Sequence, residues 1–179
     1  MDQETRLRAH LWRIAQSALQ AVEPQECIRR TLRREGERLL TEGQAVDLSR
    51  IQRIIVVGLG KASARMAAAL EAILSDRITT GLVVIADGYN VPTTIVEVVE
   101  AGHPIPDERG LAAAKRITAL IDGAGEEDLV TVLISGGGSA LFTLPSARIR
   151  LTDLMRTNQQ LLRSSAKIQE FNTVRKHLS

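Results

Sequence analysis

The sequence predicts an α/β fold: a doubly wound, mainly parallel sheet with helices on both faces, preceded by two N-terminal helices. Three observations lead there. The runs Ile54–Val57, Leu82–Ala86 and Leu129–Ile134 are aliphatic at consecutive positions, as in strands buried on both sides of a parallel sheet. Each run ends in a glycine turn, and segments with apolar residues at helical spacing lie between the runs. Hydrophobic residues make up 44% of the 179 residues and aromatics only 2%, so the core must be Ala, Leu, Ile and Val. This is the composition and order of a Rossmann-like domain, and its crossovers should be right-handed.

Taken in order, Leu7, Leu11, Ile14, Ala15, Ala18 and Val22 fall on one face of an amphipathic helix. Pro24 then opens a second helix, expected to turn Cys27, Ile28, Leu32 and Leu39 toward a core, with Gly36 weakening its middle. Residues 1–50 are thus expected to be a helical appendage packed on the main domain, residues 51–179. Ile54–Val57 is the first strand, and Gly58-Leu59-Gly60-Lys61 is the turn into a helix that buries Met66, Ala69, Leu70 and Ile73. Leu82–Ala86 is the second strand and Ile95–Val99 the third, with Gly102-His103-Pro104-Ile105-Pro106 as a stiff exit loop. A helix from about Asp107 leads to the Leu129 strand and its loop, Ser135-Gly136-Gly137-Gly138-Ser139. Thr152 is placed to cap the next helix, and a last amphipathic segment carries Ile168, Phe171 and Leu178.

Composition excludes several classes of function. A net charge of +2 gives no basic field for nucleic acid, and so few aromatics cannot form a stacking platform. Arg29, Arg30, Arg33 and Arg34 cluster, but on a helix they read as a solvated face. Cys27 is the only cysteine, which precludes an intrachain disulfide and a cysteine metal site and suits a reducing compartment. No apolar run approaches the roughly 18 residues of a membrane span, and the first residues do not read as a signal peptide. The expectation is a cytoplasmic protein without membrane or nucleic-acid partners.

Two glycine turns carry the candidate chemistry. Ser135–Ser139 offers backbone N–H groups to an anion at the carboxyl end of a strand, although many such tracts are plain turns. The Gly58-x-Gly60-Lys61 turn meets neither familiar nucleotide motif. A dinucleotide fingerprint would need glycine where Ser63 stands, and a Walker loop would need it at Ile55. What remains is Lys61, a point charge able to reach a phosphate or a carboxylate. Gly137-Gly138-Ser139-Ala140-Leu141 lacks the final glycine of a hydrolase elbow. His10, His103 and His177 form no metal signature. Only His103 lies near the presumed ligand edge, where a structural hydrogen bond is the competing reading.

Four segments together carry a resemblance. They are Val57–Ala62, Val98–Asp107, Leu133–Ala140 and the closing Asn172-Thr173-Val174-Arg175-Lys176-His177-Leu178-Ser179. In this order they resemble the amino-terminal domain of the glycerate 2-kinase family, the type with a carboxyl-terminal MOFRL domain. Some members of that family are called hydroxypyruvate reductase. The resemblance implies transfer of the ATP γ-phosphoryl group to the 2-hydroxyl of D-glycerate, with Mg²⁺. It marks Lys61 as the active-site lysine and puts Ser135, Gly136, Gly137, Gly138 and Ser139 in an interdomain cleft. Arg175 and Lys176 would face the same cleft, and Gly58, Gly60 and His103 would border it.

The family continues with a second domain, so a chain ending at Ser179 is expected to lack half of the cleft. It should then be inactive alone and prone to self-association through the surface left bare. Two alternatives stand beside the kinase: an NAD(P)H-dependent hydroxypyruvate reductase, against which Ser63 counts, and a non-catalytic anion-binding domain.

Overall fold

The structure is a computed structural model and describes residues 2–179. Its centre is a four-stranded parallel sheet. The strands are β4 (Arg53–Leu59), β5 (Ile78–Ala86), β6 (Val96–Ala101) and β7 (Asp128–Ile134), in the spatial order β6-β5-β4-β7. Every pairing is parallel and in the register of the aliphatic runs, with Val57 opposite Leu82 on one side and Val132 on the other. One face packs on α3 (Ser63–Leu74) and α2 (Pro24–Thr31) through Ile54, Val56, Leu70 and Ile85. The other packs on α4 (Glu108–Asp122) through Ile55, Val57, Leu82 and Ile117.

The segment expected to be one long second helix is different. Helix α2 ends at Thr31, and three short strands follow: β1 (Arg33–Glu35), β2 (Arg38–Thr41) and β3 (Gln44–Asp47). They form an antiparallel meander. Gly36 at φ +59° and Gly43 at φ +82° turn it, a conformation that a helix interior cannot contain. Leu39 and Leu48 still reach the main core, as does Ile28. The arginines do not share one helix face. Arg29 pairs with Glu26, Arg33 with Glu35 at 3.0 Å, and Arg34 with Asp76 at 2.7 Å.

Helix α1 (Gln3–Ala21) forms as expected but buries no residue, and its contacts are with α2. Leu7, Leu11, Trp12, Ile14, Leu19 and Val22 are all at least 58% exposed, because α2 and α3 already cover the sheet face. Strand β7 is an edge strand rather than one buried on both sides, with Val132 and Ile134 exposed. Helix α6 (Leu151–Arg163) begins two residues earlier than a Thr152 cap would start it; Arg150 is the cap, and Asp153 accepts the Arg150 N–H at 3.2 Å. The chain ends in α7 (Ile168–Lys176).

Candidate functional site

From β4 the chain builds the sheet outward through β5 to β6, then crosses back to lay β7 on the other side of β4. The loops after β4 and β7 therefore leave neighbouring strand ends in an open α/β sheet at its switch point, where ligands bind in folds of this class. These are the two glycine turns singled out in the sequence.

Backbone hydrogen bonds join the two loops. Lys61 donates its N–H to the Gly136 carbonyl at 2.9 Å, and Ser135 donates to the Leu59 carbonyl at 3.0 Å. The Ser135 hydroxyl accepts from the Ala62 N–H at 3.0 Å, so it is engaged within the protein. Gly60, at φ +118°, lies so close to Ser135 that a Cβ would collide with it. Ser63 is fully buried, and its hydroxyl donates to the Leu133 carbonyl at 3.3 Å. Gly58 is inside β4, where a Cβ would meet Val83 at 2.8 Å; it serves strand packing and faces no ligand. The short helix α5 (Gly138–Leu141) continues from the loop.

Around this joint the charged groups gather. The Lys61 ammonium stands 5.8 Å from the centre of the Tyr89 ring. Gly137, at φ +92°, is bounded by the His103 ring on one side and the Lys61 stem on the other. A cavity of about 360 Å³ opens here, lined by His103, Gly137, Ser139, Leu161, Phe171 and Arg175. A second lobe shares Ser139 and Arg175 with it and adds Leu59, Asn172 and Lys176. The Arg175 guanidinium lies 5.4 Å from the Phe171 ring centre, and its Nη2 is buried with no hydrogen-bond partner. Burial pulls its pKa below the ordinary arginine value, but a guanidinium stays charged.

The pKa of His103 is pulled below its ordinary value, first by burial and then by the charges of Lys61 and Arg175. The acids at this sheet edge are committed elsewhere. Asp87 and Asp107 both receive Arg109, at 2.7 and 2.8 Å, and Asp107 also caps α4. The Arg109 hydrogen bond holds Asp87 below the usual carboxylate range. Glu100 accepts the Gly88 N–H at 2.8 Å. No aspartate or glutamate lines either lobe. Among the described residues, no group of three His, Cys, Asp or Glu side chains could hold a metal ion.

Residues 10–179 match the family described as a domain of unknown function, DUF4147. The chain belongs to that family. It is 40% identical over 167 residues to the glycerate 2-kinase of Pyrococcus horikoshii, covering 93% of this chain and 37% of that protein. It is 52% identical over 127 residues to a protein of Agrobacterium vitis, covering 71% of this chain and 29% of the relative. That relative's name, hydroxypyruvate reductase, is provisional. The crystal structure of the glycerate kinase of Thermotoga maritima superposes with a TM-score of 0.78 at 35% identity, covering 98% of this chain and 39% of that one. The chain thus spans well under half the length of these relatives. The activities named for these relatives are those of longer proteins.

The structure brings together Lys61, Gly136, Gly137, Ser139, His103 and Arg175, and sets Lys176 in the second lobe. It does not bring Gly58 to the cleft. Sequence reasoning missed Tyr89, Phe171 as the arginine's ring partner, and the Arg109 pairing that removes Asp87 and Asp107. Only the last had a visible signal: an arginine two residues beyond a helix-capping aspartate.

Proposed function

We propose that this chain carries the phosphate- and acceptor-binding part of a glycerate 2-kinase. The reaction moves the γ-phosphoryl group of ATP to the 2-hydroxyl of D-glycerate. The observation that carries the reading is Arg175, which lines both lobes with Ser139 and whose Nη2 is buried without a hydrogen-bond partner. A buried cation without a partner is costly, and a small anion relieves it. Phosphoryl transfer needs little else from a protein than positioning and charge stabilisation of this kind.

The residues present fit the phosphates of a nucleotide: Arg175 and Lys176 line the second lobe, and the Lys61 stem passes beside Gly137 of the glycine loop. They do not fit a Mg²⁺ held by side chains, since no aspartate or glutamate lines either lobe. The reductase reading is less favoured. The turn after β4, where a dinucleotide pyrophosphate would lie, is filled by Ser135 and Gly136 of the β7 loop.

The isolated 179-residue chain should bind anions without turning over, because the relatives named as kinases are much longer proteins. It should also self-associate through its exposed apolar surface. Calorimetry with ATP tests binding: the chain should bind, and Lys61→Ala should weaken binding on the order of tenfold, a lost charge–phosphate contact. Glycerate-dependent ADP release by the protein as its cell makes it tests the reaction. Oxidation of NADH by hydroxypyruvate in place of ADP release would transfer the reading to the reductase.

A further inference from the structure

We propose that His103 is the general base of this site, taking the proton of the glycerate 2-hydroxyl as its oxygen attacks phosphorus. The inference rests on the kinase reading above and names a residue for its proton transfer.

Position comes first. His103 stands in the loop after β6, at the carboxyl edge of the sheet, and lines the same lobe as Ser139 and Arg175. Its Cδ2–Nε2 edge lies against Gly137, where an added Cβ would come within 3.0 Å of both atoms. A side chain at 137 would therefore displace the ring. Nε2 is turned toward the loop that would hold the transferring group.

Elimination comes second. A hydroxyl attacking phosphorus must give up its proton, and kinases usually supply a carboxylate for this. No aspartate or glutamate of this chain lines either lobe. Asp87 and Asp107 are held by Arg109, and Glu100 by the Gly88 N–H. Of the side chains lining the lobes, the imidazole is the one suited to accept a proton near neutral pH.

The charges facing the ring complete the argument. Lys61 faces it from the β4–α3 turn and Arg175 from α7, while Gly137 brings no charge from the β7 loop. On its own loop, Asp107 is already bonded to Gly110 and Arg109. Burial and the two cations disfavour the charged form of the ring, and the neutral form is the one a base needs. Once phosphate sits on Lys61 and the glycerate carboxylate on Arg175, both cations are neutralised and the ring regains basicity. It becomes a stronger base only when both substrates are present.

The step balances. The substrate O–H bond breaks and its proton goes to Nε2. The freed oxygen forms a bond to the γ-phosphorus, the bond from that phosphorus to the bridging oxygen breaks, and ADP leaves with the electron pair. The imidazolium then loses its proton to water.

Two experiments test the proposal. In the 179-residue chain, the His103 ring is titrated by NMR with and without inorganic phosphate. The expected midpoint lies below 6.5 without phosphate and rises when it is added; a midpoint at or above 6.5 that phosphate does not move overturns the proposal. In the protein as its cell makes it, His103→Gln should lower kcat on the order of 10²-fold or more, the usual worth of a general base. The KM for glycerate should stay within about threefold. The acid limb of wild-type kcat should lie at higher pH than that of kcat/KM, since kcat reports the loaded site. His103→Ala, folded by its amide spectrum, should regain activity with added imidazole. A kcat within threefold of wild type, in either variant, sinks the base and leaves the kinase standing. A wild type without glycerate-dependent ADP release overturns the kinase, and the base with it.

Discussion

Arg175 carries an unmet hydrogen-bonding capacity that the proposed anion would satisfy. Its guanidinium is partly buried, stacked on Phe171, and leaves Nη2 unpartnered. Removing such a charge relieves a desolvation cost, while removing the anion's partner destroys the site. Arg175→Gln should therefore leave stability unchanged or raise it by about 1 kcal/mol, a trade-off usual at functional sites. The same change should weaken glycerate binding on the order of tenfold or more; thermal melts with and without glycerate give both numbers at once. A large loss of stability would make Arg175 a structural residue. Sequence alone could single out Arg175 only by the motif around it. Whether a side chain is satisfied depends on what packs over it, and that information lies in distant segments.

At the scale of elements, α3 does more than cover the sheet. Glu71, a buried carboxylate on that helix, accepts the N–H groups of Thr94, Ile95 and Val96 and the Thr94 hydroxyl, at 2.7–2.8 Å. These donors are the entrance to β6. The connection from β5 to β6 contains no helix, so Glu71 does for its backbone what a helix would have done internally. Burial pushes the Glu71 pKa up, but the Val96, Thr94 and Ile95 N–H groups outweigh it and hold the carboxyl below its ordinary value. A depressed carboxylate contributes stability that is present above its unfolded value and lost as pH falls through its folded one. Glu71→Gln should cost about 3 kcal/mol at pH 7, since hydrogen bonds to a charged group are worth roughly 1.5–3 kcal/mol each. That cost should shrink as pH falls below about 4.5, the range in which the wild type itself loses the contribution. Denaturant unfolding of both proteins from pH 7 to pH 3 measures it; a cost independent of pH would mean lost packing rather than lost charge. The sequence shows Glu71 as the one acidic position of α3, with no sign of its partners 23 to 25 residues onward.

For the whole molecule, the apolar surface is not closed. Val132 is 50% and Ile134 66% exposed on the outer strand β7, and the stripe of α1 is bare. An edge strand with apolar side chains is a template for association. Replacing both Val132 and Ile134 by lysine should change stability by less than about 1 kcal/mol, as for surface positions generally. It should also shift sedimentation toward the monomer; unchanged association would move the contact to α1. The central strands and their helices were legible in the sequence because aliphatic runs and glycine stops are local signals. The meander at 33–47 was not, because Leu32 and Leu39 fit a helical period as well as a strand, and Gly36 and Gly43 decide between them only through their backbone angles. What the amino-acid sequence determined by itself was the list of parts: four aliphatic strands, two glycine turns, a lysine and a basic final helix. What only the tertiary structure decided was which parts meet. Strand order places the two turns side by side, hydrogen bonds consume Ser135, Arg109 takes the acids, and packing leaves Arg175 and His103 facing the gap. Local preference depends on neighbours along the chain, but charge, burial and hydrogen-bond satisfaction depend on neighbours in space.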